Sequence, residues 1–263
     1  MSTSAGRPRG HEPVLLAEVL ELLAVRPGGL YVDGTVGLGG HAEEILRRSS
    51  PDGRLVAFDR DPEALARSAA RLAPFAERTR FEHADFREIP ERLGTEAPQG
   101  VLLDMGVSSL QLDDPARGFS FSAEGPLDMR MDPTTGFTAA DLVNRLPERE
   151  LANLIYRWGE EHASRQIASA IVDARRKRPI TTTTELATVV RRSAGRSRRP
   201  GLDAATKTFQ ALRIHVNGEL ENLAETLERI AGALAPGGRL AVIAFHSLED
   251  REVKHTFRAL VPG

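Results

Sequence analysis

The stretch Tyr31-Val-Asp-Gly-Thr-Val-Gly-Leu-Gly-Gly-His41 decides the fold. It starts as a short apolar strand, Leu30 to Asp33, and enters a turn, Gly34 to Gly40, with four glycines in seven residues. Glycine has no Cβ and takes positive φ freely, so such a turn lets backbone approach a ligand closely. His41 to Arg48 follows with Ala42, Ile45 and Leu46 on one face, which is helical spacing. The first turn of that helix offers N–H groups that no helical carbonyl can satisfy.

The same alternation recurs outward from this point. Upstream, Val14, Leu15, Val19, Leu22 and Leu23 make His11 to Leu23 an amphipathic helix, ended by Pro27-Gly28-Gly29. Downstream, Pro51-Asp52-Gly53 turns the chain into a second strand, Arg54 to Asp59. Pro62 suits the first turn of a helix running to about Leu72. Arg80 to His83 and Val101 to Asp104 read as the third and fourth strands, and Leu240 to Phe245 as the fifth. Short apolar strands separated by helices predict βαβ units. The fold class is therefore α/β, with a parallel sheet covered on both faces.

The pattern breaks after Asp104. Residues 106–140 are rich in Gly, Pro, Ser and Asp, and 141–200 read as polar helices with Leu151, Leu154, Ile155 and Trp158 as an apolar stripe. No strand pattern returns before Arg239. The expected organisation is a core of residues 1–111 and 209–263, with 112–208 as an inserted, mostly helical subdomain. Leu220, Leu223, Leu227, Ile230 and Leu234 then give a helix stopped by Pro236-Gly237-Gly238, and Asp250 to Leu260 a last one.

Two further features bear on the glycine turn. Asp59 ends the second strand, 20 residues after Gly39, where a carboxylate can accept hydrogen bonds from both hydroxyls of a ribose. Gly37-Leu38-Gly39-Gly40-His41-Ala42 also satisfies the G-x-G-x-x-G/A pattern of dinucleotide enzymes. On spacing alone, a nicotinamide-dependent oxidoreductase and an enzyme using a nucleoside with an amino-acid tail stay equally open.

Bulk composition narrows the classes. With 41% hydrophobic and 27% charged residues the chain can build a core and keep a charged surface. The absence of cysteine excludes disulfides and a cysteine-based zinc site. No His, Asp and Glu set has metal-ligand spacing, so no catalytic metal is expected. Met1 to Gly10 holds no apolar run of a secretory signal, and no stretch approaches the ~20 apolar residues of a membrane span. A cytoplasmic location is the expectation. Net charge is −2, yet Arg165 to Arg213 carries 12 Lys/Arg against 3 Asp/Glu. Arg175-Arg-Lys-Arg178, Arg191, Arg192, Arg196, Arg198 and Arg199 predict a phosphate-binding face. Phe209 is the one ring nearby, fewer than a stand-alone RNA-binding module uses. A non-catalytic RNA-binding protein is the second alternative; it needs the basic face but not the ordered strand ends.

The chain resembles the RsmH (MraW) family of bacterial methyltransferases. The resemblance rests on HEPVLL (11–16), DGTVGLGGH (33–41), FDRDPEA (58–64), LLDMGVSSLQLDDPARGFSF (102–121), GPLDMRMD (125–132), TFQALRIHVNGEL (208–220) and APGGRLAVIAFHSLEDR (235–251), in family order. It implies a Rossmann-like S-adenosylmethionine methyltransferase sheet with an inserted helical subdomain. The implied reaction is methylation of N4 of a cytosine in the decoding region of 16S ribosomal RNA, so the implied partner is that RNA or the small ribosomal subunit. The oligomeric state, a dimer included, stays open. The resemblance further implies that Gly39, Gly40 and His41 hold the methionine end of S-adenosyl-L-methionine. Asp59 is placed on the ribose, Phe86 beside the adenine with Asp85 as the alternative contact, and Asp104 and Gln111 near the sulfonium. The family continues beyond the last helix, and its sheet closes with two further strands. Without them, strand 240–245 would be an exposed apolar edge.

Amino-directed methyltransferases often carry an Asp/Asn/Ser-Pro-Pro-aromatic motif after the fourth strand; this chain has Asp104-Met-Gly-Val-Ser-Ser109. The exocyclic amine of cytosine shares its lone pair with the ring, and a nearby acceptor would localise that pair. Asp104 is the candidate for this catalytic role, and a purely cofactor-binding role is the alternative. His246, just past the fifth strand, is a second candidate for the same cleft.

Overall fold

The structure is a computed structural model that describes residues 13–194, 201 and 203–261. The chain divides into two compact units, Met1–Met105 with Ala224–Phe245 and Val253–Gly263, and Gly106–Leu223 with His246–Glu252.

In chain order the first unit holds α1 (Leu16–Leu22), β1 (Leu30–Asp33), α2 (Gly40–Arg48), β2 (Arg54–Asp59), α3 (Pro62–Arg71), β3 (Thr79–His83), α4 (Ile89–Leu93) and β4 (Gly100–Asp104). The second holds α5 (Ser109–Asp113), α6 (Ala139–Arg145), α7 (Glu148–Gly159), α8 (Ser164–Arg175), α9 (Thr183–Ala194) and α10 (Thr206–Asn217). The chain then forms α11 (Leu223–Ala233), β5 (Arg239–Ile243) and α12 (Ser247–Leu260).

The strands lie in the order β3-β2-β1-β4-β5, and every pairing is parallel. Every residue of β1 is buried and β4 is buried up to Asp104, as expected for central strands covered on both faces. Tyr31, Ile45, Leu46, Leu55 and Leu102 form the core of this unit with Val19, Leu20 and Leu23 of the first helical segment. Asp61 caps α3 by accepting from Glu63 N at 3.0 Å, and Pro62 takes the first helical position, where its missing N–H costs nothing. The chain proceeds from β1 to one side of the sheet and returns with β4 to the other. The order therefore reverses between β1 and β4, the place where open α/β sheets bind ligands beyond their carboxyl ends.

β5 is one edge of the sheet and β3 the other. The side chains of β5 are partly buried. Ala241 and Ile243 are buried, and Arg239 Nη1 donates to Leu22 O at 3.1 Å.

The second unit has its own core, built on Met129, Val143, Leu151, Ile155, Ile167, Ile171, Leu186 and Leu212. The aperiodic stretch after α5 is ordered through side chains that bond backbone. Asn217 donates to Met129 O at 2.8 Å and accepts from Met131 N at 2.8 Å, and Arg117 donates to Met131 O at 2.9 Å. This unit is longer at both ends than the expected insertion, 112–208. It also takes in α10 and the separate segment His246–Glu252. The reason is packing: Phe209, Ala211 and Leu212 of α10 belong to the helical core, and α10 packs along α7.

Candidate active site at the carboxyl ends of the strands

Three adjacent strands, β2, β1 and β4, each end in an aspartate: Asp59, Asp33 and Asp104. The glycine turn continues from β1 and is bonded to β2 and β4. Gly34 N donates to Leu102 O at 2.8 Å, Val36 N to Phe58 O at 2.9 Å, and Thr35 Oγ1 accepts from Asp104 N at 2.6 Å. The turn is thus held rigid, as a binding site must be to avoid ordering costs.

The glycines in it have separate reasons. A Cβ at Gly34 would collide with Leu103 Cδ2, and one at Gly40 would lie 2.5 Å from Pro13 Cγ. Gly39 caps α2 with φ +76°, a left-handed backbone that disfavours other residues. Gly37, at φ +51°, is the one whose absent Cβ would face open space, its nearest atom being Thr35 O at 3.9 Å. Packing therefore explains Gly34 and Gly40, and close approach of a ligand fits Gly37 best.

Asp59 Oδ2 accepts from Gly37 N at 2.8 Å and Oδ1 from Asp61 N at 2.9 Å. Burial pushes its carboxyl up to about 6 against these two bonds. Each oxygen retains a second lone pair for a hydroxyl donor. Asp33 is 1% exposed. Burial pushes it up to about 8; the bond from Thr35 N opposes this, and the neighbouring Asp104 and Asp59 add to it. Its Oδ1 accepts that bond at 3.2 Å, while Oδ2 has no hydrogen-bond partner among the described residues. Sequence reasoning gave Asp33 no role. The signal was there, since it occupies the same strand-end position as Asp59 and Asp104.

His41, the second residue of α2, is buried, and its Nε2 lies 2.9 Å from Val14 O. A carbonyl only accepts, so Nε2 carries the proton, and burial holds the ring neutral by pushing its pKa down. Nδ1 is then an acceptor, 3.7 Å from Asp104 Oδ2. Two acceptors at that distance are complementary to a donor such as an amine. The Asp104 side chain is 25% exposed; Asp59 is likewise half-buried, and only Asp33 is fully buried.

Phe86 opens a one-turn 3-10 helix after β3, half-buried, and its Cβ lies near the start of the glycine turn. Asp85 differs. Burial would raise its carboxyl, but the Arg87 guanidinium at 2.7 and 3.0 Å and Arg60 at 3.6 Å hold it below the usual range. An Asp85 locked onto two arginines is a weaker adenine partner than Phe86.

Gln111 lies in the second unit, buried on α5. Its Oε1 accepts from Ser108 N at 3.1 Å, completing a reciprocal cap with Ser108. His246 also belongs to the second unit. Its Nδ1 accepts from Glu249 N at 3.3 Å, which caps α12, and Nε2 lies 3.1 Å from Glu249 Oε1. Glu219, His246 and Glu249 form a group with ligand-like spacing that no sequence pattern revealed. Arg213 occupies both oxygens of Glu219, at 2.9 and 2.8 Å, so this group is organised as an ion-pair network.

The basic region is more self-engaged than its sequence suggests. Arg175 donates to Val143 O and Leu146 O, Arg191 pairs with Asp203, and Lys207 Nζ donates to Glu160 O. Arg165, Lys177 and Arg192 make no ion pair among the described residues. Arg196, Arg198 and Arg199 lie outside the described residues. Phe209 is buried against Phe121 and offers no open face.

Comparison with known proteins agrees with this arrangement. The profile of the MraW methylase family matches residues 9–262. A protein of Symbiobacterium thermophilum named ribosomal RNA small subunit methyltransferase H is 55% identical over 253 residues, 94% of this chain and 79% of that one. Proteins of the same name from Syntrophobacter fumaroxidans and Gloeobacter violaceus are 53% and 56% identical, covering 94% and 95% of this chain and 79% and 77% of theirs. With nearly the whole length matched, the chain belongs to the MraW methylase family.

Proposed function

We propose that this chain methylates N4 of a cytosine in the decoding region of 16S ribosomal RNA, using S-adenosyl-L-methionine. The observation that carries the reading is the set of three carboxylates, Asp33, Asp59 and Asp104, at the ends of β1, β2 and β4 around a rigid glycine turn. Such a site suits a cationic nucleoside ligand. The diphosphate of a nicotinamide dinucleotide would bring negative charge against Asp59, whose carboxyl titrates at about 6, which disfavours the oxidoreductase reading. A binding protein without catalysis would have no use for the ordered strand ends.

S-adenosyl-L-methionine supplies a methyl group already activated by its positive sulfur, for in-line displacement. The chain's work is mainly positioning. Asp59 would accept from the ribose hydroxyls, Phe86 would cover the adenine, and Gly39, Gly40 and His41 would line the methionine end, with Gln111 near the sulfonium. Asp104 would accept a hydrogen bond from the cytosine amine, localising the lone pair on N4 and stabilising the charge that builds as the new bond forms.

The second unit would supply phosphate contacts through exposed cations such as Lys177 and Arg192. No helix among the described residues is long and apolar enough to cross a membrane. Ribosomal RNA as substrate points to the cytoplasm, and to the small subunit as partner. The backbone of edge strand β5 is where a second copy would pair, and light scattering measures whether a dimer forms.

The direct test is transfer of labelled methyl from S-adenosyl-L-methionine to purified small-subunit particles, followed by mapping of the base. Label on N4 of a decoding-region cytosine supports the reading. Label on another base, or none from a chain that binds S-adenosylhomocysteine, refutes it.

A further inference from the structure

A cavity of about 160 Å3 lies in the second unit where α7 meets the start of α8, lined by Ala152, Asn153, Tyr156, His162, Ser164 and Arg165. It is too small for a cofactor, whose pockets run about 300–1,000 Å3, and suits a group the size of one base. Its lining is unusual. Tyr156 is 57% exposed and stands edge-on to His162 with ring centres 6.3 Å apart. Ser164 is only 4% exposed, yet its hydroxyl takes part in no hydrogen bond within the described residues. The single permanent charge in the lining is Arg165, and no carboxylate belongs to it. Arg165 makes no ion pair among the described residues, whereas Arg175, Arg176, Arg178 and Arg191 of the same unit are engaged. Arg149, Asn153 and Tyr156 follow one another at i, i+4 and i+7 along the exposed face of α7, which extends the polar and positive character beyond the cavity.

We propose that this cavity docks one unstacked nucleotide of a single-stranded RNA segment, a nucleotide other than the one methylated. Every polar or aromatic lining group has a use in that complex. The Tyr156 and His162 rings supply faces on which any base can stack. Asn153 and Ser164 can donate to and accept from a base edge. Arg165 meets the phosphate. A lining with one cation and no carboxylate complements a phosphate. The proposal rests on the RNA reading above and adds where a second contact lies.

The test uses the full chain and a 12-nucleotide single-stranded RNA carrying one 4-thiouridine, with wild type, Tyr156→Ala, Tyr156→Phe and Arg165→Ala. Stacking is worth about 1–3 kcal/mol per base, so Tyr156→Ala should weaken binding about tenfold while Tyr156→Phe stays near wild type. Arg165→Ala should lower the slope of log affinity against log salt by about one. Light should crosslink the thiouridine within Leu151–Arg165. Unchanged affinity for Tyr156→Ala, or crosslinks confined to other segments, overturns the proposal. So does a loss of affinity seen with whole small-subunit particles but not with naked RNA, which would mark a protein-binding surface. Failure of the methylation reading is separable, because methyl transfer by the wild type is scored in its own assay.

Discussion

Replacing Asp33 with asparagine should stabilise the protein, by an amount that depends on pH. In the folded chain the Asp33 carboxyl is buried and titrates at about 8, against an ordinary value of 3.8. Between those values the folded state holds a proton that the unfolded state has released. Stability therefore falls as pH rises through this window and is flat above it. Each unit of separation corresponds to about 1.36 kcal/mol, so at neutral pH the cost of keeping Asp33 buried is about 4 kcal/mol. Asparagine is close in shape, keeps the acceptor for Thr35 N, and has no charge to desolvate. Urea unfolding of Asp33→Asn and wild type at about pH 5 and about pH 8 measures the difference. The advantage of the variant should grow by about 4 kcal/mol between the two conditions. An advantage equal at both would show that Asp33 is not protonated in the folded protein, and would refute the argument from burial and neighbouring carboxylates.

Three other outcomes follow from the same site. Asp59 titrates at about 6, so S-adenosylhomocysteine affinity should drop as pH falls through that value, and Asp59→Asn should remove the dependence in calorimetric titrations. Asp104→Asn should bind S-adenosylhomocysteine within about twofold of wild type but lose on the order of 10²-fold in methyl transfer, since the amine loses a charged acceptor; turnover at the wild-type rate would leave Asp104 a binding residue only. Gly40→Ala should lower the melting temperature, because a Cβ there lies 2.5 Å from Pro13 Cγ and forced contacts of that kind cost about 1–3 kcal/mol.

The sequence by itself determined the sheet. Apolar runs of four to six residues, each followed by a turn and an amphipathic helix, have few solutions other than parallel strands covered on both faces. The observed β1, β2, β3 and β4 fall within a residue of their expected limits. Asp59 and Asp104 were legible as strand-end carboxylates for the same reason, because a strand's last residue is fixed by local pattern. Tertiary structure alone decided what depends on distant residues meeting. The second unit reaches past its expected limits because α10 packs against α7, a contact that periodicity does not encode. The protonation of Asp33 arises first from its burial in the folded core, and the carboxylates that two other strands place near it add to that. Among the described residues, most cations of the basic region are engaged by acids and carbonyls, whereas Tyr156, to which the sequence gave no role, stands exposed beside a cavity. Local pattern fixes backbone elements; charge state and availability of a side chain are set by neighbours far away in sequence.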